Sequence, residues 1–334
     1  MIARGISRAV PSRPSAGMRM GRQGLGMPAL VAGRETTISV LEYNTHLFGR
    51  LGRMVNQFYQ DDLRAEKIGE ALLATDAGLT ALLEVWDDRL ARLIIEITAG
   101  IYPFHFRPRD KNLFGIGSGL LLLSKYEILD PQFQRFKRLL GADFFSSKGF
   151  GAATIDLDSL SLELFFAHNQ ASSGGFLNQA ARLANLRQLN IAIGAYRAGH
   201  PQNPVLALGD FNVAGEEIDV PTAEYQSMAK YFNDNDLSDL YRRVNALQNP
   251  GFTYDGVENT LVKVFDPKFS AARKRQRLDY IFGSSDIAAL DIAAQPARNP
   301  ARFKADYRYD QGSADLSDHF PLLLEFTIQR NNYQ

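Results

Sequence analysis

Apolar stretches of strand length alternate along this chain with stretches of helical spacing, beginning at Thr36. Residues 36–44, TTISVLEYN, are β-branched and alternating, as in a half-buried strand. Residues 176–199 repeat apolar positions at helical spacing and end at a glycine, which predicts an amphipathic helix. The same criteria predict further strands at 78–86, 118–128, 149–157, 162–168, 203–210, 277–282 and 320–328.

The order of these elements predicts two packed sheets with helices outside them. Strands 149–157 and 162–168 follow each other across a short connection, which favours an antiparallel hairpin. Helical stretches at 58–75, 87–100 and 176–199 each need a sheet face to cover. We therefore predict an α/β fold, a four-layer α/β/β/α sandwich of two mixed or antiparallel sheets.

The first part of the chain differs in composition from the rest. Residues 1–33 contain five arginines and no acid, and they lack the continuous apolar region of a signal peptide. We expect residues 1–35 to form a disordered or targeting-like leader. Residues 36–330 contain no repeat and no linker rich in Gly, Ser or Pro, so we predict one domain there. No apolar run reaches the roughly 18 residues of a membrane span, and the compartment stays open.

Composition narrows the possible chemistry. Lysine plus arginine equals aspartate plus glutamate at 37 each, so no global field attracts nucleic acid. The chain has no cysteine, which excludes disulfides, thiolate metal sites and cysteine nucleophiles.

Polar side chains stand where predicted strands end. Asp210 and Asn212 follow an apolar run, and alternate residues of an extended segment share a face, so both are predicted to point one way and Phe211 into the protein. Gly-Asp-Phe-Asn is also typical of a simple turn, so this motif alone decides nothing. Buried charges normally pair, bind metal or face a cleft. Comparable positions are Asn44, Glu84, His168, Asp279, Asp318 and His319.

Taken in order, these motifs resemble the endonuclease/exonuclease/phosphatase superfamily, which includes deoxyribonuclease I-like enzymes. Details are similar to its neutral sphingomyelinase branch: the segment EVWD at 84–87, IYPF at 101–104 and the Lys-Gly stretch before strand 149–157. Ala167 and Leu83 depart from that branch, which usually has Thr and often has Gln there. The motifs that carry the resemblance are LEYNTH, LLEVWD, SGLLLLSKYEIL, AHNQA, GDFN, RLDYIF and SDHFPL.

The resemblance implies a metal-dependent phosphodiesterase. A phosphodiester needs a cation, a base for water and help for the leaving oxygen. Oxygen ligands suit a hard cation, so we expect Mg²⁺ held by Glu84 with help from Asn44, and Mn²⁺ or Co²⁺ as substitutes. His319 is the predicted general base with Asp279 as its carboxylate partner. Asp318 is expected to face the metal region or its water.

The remaining predicted roles concern the phosphate and the attacking water. His168 is expected to bind the phosphate and stabilise charge, or to protonate the leaving oxygen. Asp210 is expected to orient the water, and Asn212 to donate to a non-bridging oxygen. Lys148 is a candidate contact for an anionic substrate. No role is predicted for His46.

The expected substrate is a membrane phospholipid, sphingomyelin above all, reached by a monomer in peripheral membrane contact. A nuclease, a phosphatase acting on small phosphate esters and a catalytically inactive binding module remain alternatives.

The basic run 272–277 is predicted to be an exposed loop that could touch lipid or nucleic acid. Arg182 is predicted on a solvated helix face. Phe144 and Phe145 are expected to pack in the core or, alternatively, to enter a bilayer interface.

Overall fold

The computed structural model describes most of the predicted domain, and the predicted leader, residues 1–35, lies outside the described residues. The description covers residues 37–328 except 51, 53–59, 159, 172–174, 218–219, 295–297 and 304–312.

One six-stranded sheet has the order β15-β18-β1-β2-β4-β3. Strands β1 and β2 are parallel, with Asn44 opposite Leu83, and the other neighbours are antiparallel. The strands are β1 (Ile38–Leu47), β2 (Leu79–Val85), β3 (Phe104–Phe106), β4 (Leu121–Ser124), β15 (Ile287–Ala294) and β18 (Leu322–Ile328).

The second six-stranded sheet has the order β11-β14-β8-β7-β6-β5. Its parallel pair is β7 and β8, with His168 opposite Asp210, and β14 places Asp279 opposite Asp210 from the other side. The strands are β5 (Glu127–Arg135), β6 (Gly149–Asp156), β7 (Ser161–His168), β8 (Val205–Asp210), β11 (Leu237–Asp239) and β14 (Asp279–Ser284). Short pairs join β9 (Glu216–Glu217) to β10 (Val220–Pro221), β12 (Tyr254–Asp255) to β13 (Arg275–Gln276), and β16 (Arg298–Phe303) to β17 (Ser313–Asp315).

Helices cover the outer face of each sheet, and an apolar layer fills the space between the sheets. Helices α1 (Asp61–Thr75) and α2 (Asp88–Thr98) pack on the first sheet, and α3 (Phe176–Gly199) and α4 (Ala223–Asn233) on the second. The predicted four-layer sandwich is confirmed. Shorter helices are α5 (Leu240–Val244), α6 (Val262–Phe265), α7 (Pro267–Ala271) and a 3₁₀ helix at Gly141–Phe145.

The predicted single strand at 118–128 is wrong, because it is two strands in different sheets. The chain leaves β4 at Ser124, whose hydroxyl accepts a hydrogen bond from Tyr126 N and donates one to Tyr126 O. This turn sends β5 into the second sheet. Through the turn the residues alternate between polar Lys125 and Glu127 and apolar Tyr126 and Ile128. A single continuing strand would show the same alternation, so the hydrophobic pattern alone does not reveal the change of sheet.

The basic run 272–277 is not a uniformly exposed loop, because its last residue is buried. The Arg277 side chain is 0% exposed and lies 2.6 Å from Glu216 and 2.7 Å from Asp239. Its guanidinium also stacks on the Tyr280 ring at 4.5 Å. Arg182 differs from prediction in the same way, because it is buried and paired with Glu224 at 2.6 Å. Both arginines are buried because they pair with acids that are distant in the sequence, so the residues around them do not reveal their burial.

Replacing Arg277 with leucine is expected to lower the free energy of unfolding by about 3–5 kcal/mol, because it leaves buried Asp239 without its cation and Glu216 with Arg242 as its remaining partner. Urea denaturation measures this as a lower midpoint at an unchanged slope. The exposed neighbour Lys274, changed to alanine, serves as the control and should shift stability by no more than about 0.5 kcal/mol. Equal stability of the two variants would contradict the role given to Arg277.

Candidate active site

The parallel strand pairs of the two sheets end at one cleft, and each contributes polar side chains there. Asn44 of β1 donates through Nδ2 to Glu84 Oε1 at 3.1 Å and to Asp210 Oδ2 at 3.0 Å. The Nε2 atom of His168 lies 3.4 Å from Glu84 Oε1 and 3.7 Å from Asp210 Oδ2. Four residues that are distant in sequence thus meet across the interface between the sheets.

The end of β8 shows why its sequence is Gly-Asp-Phe-Asn. Gly209 has φ of 141°, which L side chains rarely adopt, and a Cβ there would collide with the Ala167 carbonyl of β7. Phe211 is fully buried against the outer helices, as predicted. Asn212 has φ of 54°, and its backbone N–H donates to Asp210 Oδ1 at 2.8 Å. The motif is therefore both a turn and a part of the cleft.

His319 enters the cleft from the loop before β18 and pairs with Asp279 of β14. Its Nδ1 lies 2.7 Å from Asp279 Oδ2, and its Nε2 lies 3.9 Å from Asp210 Oδ2. The Tyr254 ring lies 5.1 Å from the imidazole, centre to centre. One ring nitrogen is thus held by a carboxylate, while the other faces Asp210.

Charge and burial strongly shift the pKa values of His319 and Asp210. Burial alone would lower the pKa of His319, but the Asp279 carboxylate raises the pKa well above its usual range. Burial, and then the charge of Asp279, raises the pKa of Asp210 to about 7. Shifted values of this kind in a cleft are typical of groups that move protons in catalysis.

His168 has the opposite electrostatic environment. It is fully buried, and neither ring nitrogen makes a hydrogen bond among the described residues. Burial lowers the pKa of His168 well below its usual range, and the nearby Lys148 charge adds to this effect. A neutral imidazole with two available nitrogens can donate to an oxyanion or ligate a metal.

His46 lies between Asp318 and Glu84 and contacts both carboxylates. His46 Nδ1 is 3.2 Å from Asp318 Oδ2 and 3.5 Å from Glu84 Oε2, and its ring packs on Phe265 at 4.1 Å. Burial would raise the pKa of Asp318, but the His46 contact takes it below its usual range. The sequence indicated no role for His46, although its position two residues after Asn44 on the same strand was a usable signal.

Glu42 is a second residue that sequence reasoning missed. It precedes Asn44 by two positions on β1, is fully buried, and neither carboxylate oxygen has a hydrogen-bond partner in the described part of the chain. Burial raises the pKa of Glu42 well above its usual range, and the charges of Asp279 and Asp210 raise it further. A protonated Glu42 can donate to Asp279, whose Oδ1 otherwise lacks a partner. The feature of the sequence that could have revealed Glu42 is a single glutamate within an otherwise apolar strand.

Lys148 lies at the border of the cleft, and its contact with an anionic substrate stays a prediction. It is buried and pairs with Asp143 at 2.9 Å. It precedes β6, in which Phe150 lies opposite Ala167, the neighbour of His168. Its charge adds to the lowering of the pKa of His168 and partly opposes the rise in the pKa of Asp210. Trp86, two residues after Glu84, packs beside His168 with ring centres 6.0 Å apart.

The donor atoms in the cleft fit a hard divalent cation. Oxygen or nitrogen atoms of Glu84, His168 and Asp210 all lie within 4.8 Å of one another. The buried Glu84 Oε2 has no hydrogen-bond partner among the described residues, as expected of a ligand atom. Asn44 presents its amide nitrogen to both carboxylates and its oxygen to His46 N at 3.2 Å. Ligation by Asn44 would therefore need the amide to rotate.

Known proteins share both the sequence pattern and the fold. Sphingomyelinase C of Leptospira interrogans is 27% identical over 302 residues, which cover 85% of this chain and 51% of that protein. The chain spans about half the length of the first curated relatives it matches.

Two crystal structures have the same architecture. Sphingomyelinase C from Streptomyces griseocarneus aligns with a TM-score of 0.66 at 22% identity, over 87% of this chain and 99% of that chain. A beta toxin variant from Staphylococcus aureus with bound magnesium ions aligns with a TM-score of 0.69 at 18% identity, over 88% and 100%. At these identities the likeness shows the fold.

A family model described as Endonuclease/Exonuclease/phosphatase family matches residues 43–319. This span includes every predicted site residue, from Asn44 to His319, and covers most of the chain. The chain therefore belongs to the Endonuclease/Exonuclease/phosphatase family.

Proposed function

We propose that this protein is a Mg²⁺-dependent phosphodiesterase that hydrolyses sphingomyelin, or a phospholipid with a related head group, to ceramide and phosphocholine. The observation that carries the proposal is the convergence of Glu84, His168, Asp210 and His319 on one cleft across two sheets. Family membership and relatives named sphingomyelinase support the phosphoric ester chemistry.

In this proposal His319 is the general base. Its Nε2 lies 3.9 Å from Asp210 Oδ2, a separation that one water can bridge with hydrogen bonds to both groups. Asp210 would orient that water, and His319 would take its proton. Asp279 holds Nδ1 at 2.7 Å, which orients the ring and stabilises the imidazolium that forms.

The other residues would act on the phosphate and the cation. His168, neutral and without hydrogen bonds among the described residues, would donate to a phosphate oxygen, and Asn212 to a non-bridging one. Glu84, with Asn44 after amide rotation, would hold Mg²⁺, and Asp318 would fix their surroundings through His46. When bound, the ion supplies positive charge that offsets the developing charge on phosphate oxygens.

Lipid is preferred to nucleic acid as substrate. The basic run 272–277, the local feature that favoured a nuclease, ends in the buried Arg277, and its Arg275 pairs with Asp255.

Monomeric action in peripheral contact with a bilayer is part of the proposal. No helix among the described residues combines the length and apolar character needed to cross a bilayer.

A substrate panel tests the proposal. Purified protein would be assayed on sphingomyelin, lysophospholipid, plasmid DNA and inositol phosphates, each with Mg²⁺, Mn²⁺ or Co²⁺ and with chelator. We expect release of phosphocholine from sphingomyelin with Mg²⁺ and none with chelator. Hydrolysis of DNA with sphingomyelin left intact would refute the lipid substrate and favour the nuclease alternative.

The pH dependence of the rate should report the His319–Asp279 pair. A raised pKa means that His319 becomes a competent base only as pH rises, so kcat/KM should increase through an ascending limb above pH 6.5, the ordinary value of histidine. Replacing Asp279 with asparagine removes the charge that raises this pKa. The limb should therefore move to lower pH, while the plateau falls roughly 100-fold or more because the ring loses its orientation.

The control for that experiment is Asp234→Asn, since Asp234 is an exposed acid paired with Lys230. Its pH–rate profile should match that of the wild type. An Asp279→Asn limb at the wild-type position would contradict the assignment of the limb to His319.

A further inference from the structure

A cluster of four exposed apolar side chains lies beside the cleft. Leu113, Phe114, Phe144 and Phe145, which we call the aromatic rim, are 101%, 56%, 55% and 49% exposed. The centre of the Phe145 ring lies 5.0 Å from that of Phe114 and 5.6 Å from that of Phe144, with interplanar angles of 67° and 89°. The expected core packing of Phe144 and Phe145 is therefore wrong, and the rim is one continuous surface.

Hydrogen bonds hold the two segments of the rim together and keep their side chains outward. Asn112 Nδ2 donates to Phe145 O at 2.6 Å, while its Oδ1 accepts from Phe114 N at 2.9 Å. Arg135 donates to the carbonyls of Phe144 and Ser146 at 3.1 and 2.8 Å. Because the backbone is fixed in this way, the apolar exposure is built into the fold.

The rim adjoins the catalytic groups. Its 3₁₀ helix, Gly141–Phe145, carries Asp143, which pairs with Lys148 at 2.9 Å and accepts from Ala171 N at 2.6 Å. Lys148 lies two residues before Phe150, which is opposite Ala167, the neighbour of His168, in the pairing of β6 with β7. On the other side, Gly119 O accepts from Val85 N at 2.9 Å, directly after Glu84.

Positive charge flanks the rim. Segments 107–111 and 135–138 each contain three lysines or arginines, six in all, against the single acid Asp110. Arg107 and Lys111 pair with Asp88, at 2.9 and 2.6 Å. The other four cations, Arg109, Arg135, Lys137 and Arg138, are exposed. Aromatic rings with basic neighbours suit a phospholipid interface, where rings enter the acyl boundary and cations meet phosphates.

We infer that the aromatic rim is the surface by which this protein docks on a phospholipid bilayer, with Phe114 and Phe145 inserted at the interface and the cleft facing the head groups. The inference rests on the proposed function, since a lipid substrate has to be reached in its bilayer. A second copy of this chain is the competing occupant of the rim.

Vesicle binding tests the inference without requiring catalysis. Wild type and a Phe114→Ser/Phe145→Ser double variant would be mixed with phosphatidylcholine vesicles containing some phosphatidylglycerol, in the presence of chelator, and bound protein measured by co-sedimentation. We expect the double variant to bind about tenfold more weakly or worse, because two rings lose their burial in lipid.

The matched control is Val244→Ser/Leu290→Ser, two exposed apolar residues remote from the rim in α5 and β15. It should bind as the wild type does. Leu113→Asp is a further variant whose folding is not at risk, since this side chain is fully exposed, and it should also weaken binding. Thermal unfolding checks that all variants are folded.

Three results would overturn the inference. The wild type could fail to bind vesicles, or the rim and control variants could bind equally. The third is a wild-type dimer in light scattering that the rim substitutions convert to a monomer. Sphingomyelin hydrolysis is scored separately. Rim-dependent binding by a protein that leaves sphingomyelin intact would defeat the proposed substrate and still support the docking surface.

Discussion

Replacing His319 with glutamine should lower the rate of phosphodiester hydrolysis by roughly 10²–10⁴-fold while the fold remains intact. In the proposed mechanism the imidazole accepts the proton of the attacking water, and glutamine cannot accept it at neutral pH. Binding of substrate should change little, so the loss should appear in kcat. Steady-state kinetics on sphingomyelin micelles, with circular dichroism as the check of folding, provide the measurement.

His105→Gln is the control for this variant, because His105 is an exposed histidine in the short strand β3. It should retain wild-type turnover. Equal activity of His319→Gln and His105→Gln would refute the assignment of the base, whatever the substrate proves to be.

Replacing Glu84 with glutamine should weaken divalent cation binding by roughly 100-fold or more. Loss of a residue that only orients a metal ligand already lowers metal affinity by about 10–100-fold. The amide keeps the shape of the side chain and loses the negative charge that, in the proposed mechanism, attracts the ion. Titration with Mn²⁺ followed by electron paramagnetic resonance measures affinity directly, independently of turnover. The Mg²⁺ concentration for half-maximal activity should rise in parallel.

Glu96→Gln is the matched control, since Glu96 is an exposed acid on α2. It should leave both quantities unchanged. An unchanged Mn²⁺ affinity in Glu84→Gln would show that the cation, if required, is held elsewhere.

The layered fold was predictable because each outer helix and each central strand has a strong pattern of its own. The strands at 149–157, 162–168 and 203–210 are close to β6, β7 and β8, and 176–199 coincides with α3. The change of sheet after β4 was not predictable, since it depends on a two-residue turn closed by Ser124.

Part of the candidate site was likewise predictable from the sequence, and part was not. Polar residues at strand ends, such as Asn44 and Asp210, stood out against apolar neighbours, and parallel strands bring such ends together. Their predicted roles remain predictions. Glu42 and His46 were missed because their significance comes from contacts with Asp279 and Asp318, far along the chain.

Each sheet carries half of the cleft, with Asn44 and Glu84 on one and Asp210 and His168 on the other. A sliding displacement of one sheet against its partner would therefore stretch the catalytic distances without breaking a single strand. The geometry of the reaction centre thus depends on how tightly the aliphatic side chains of the middle layer interlock. Mutations buried there, far from any substrate, would act on catalysis through alignment.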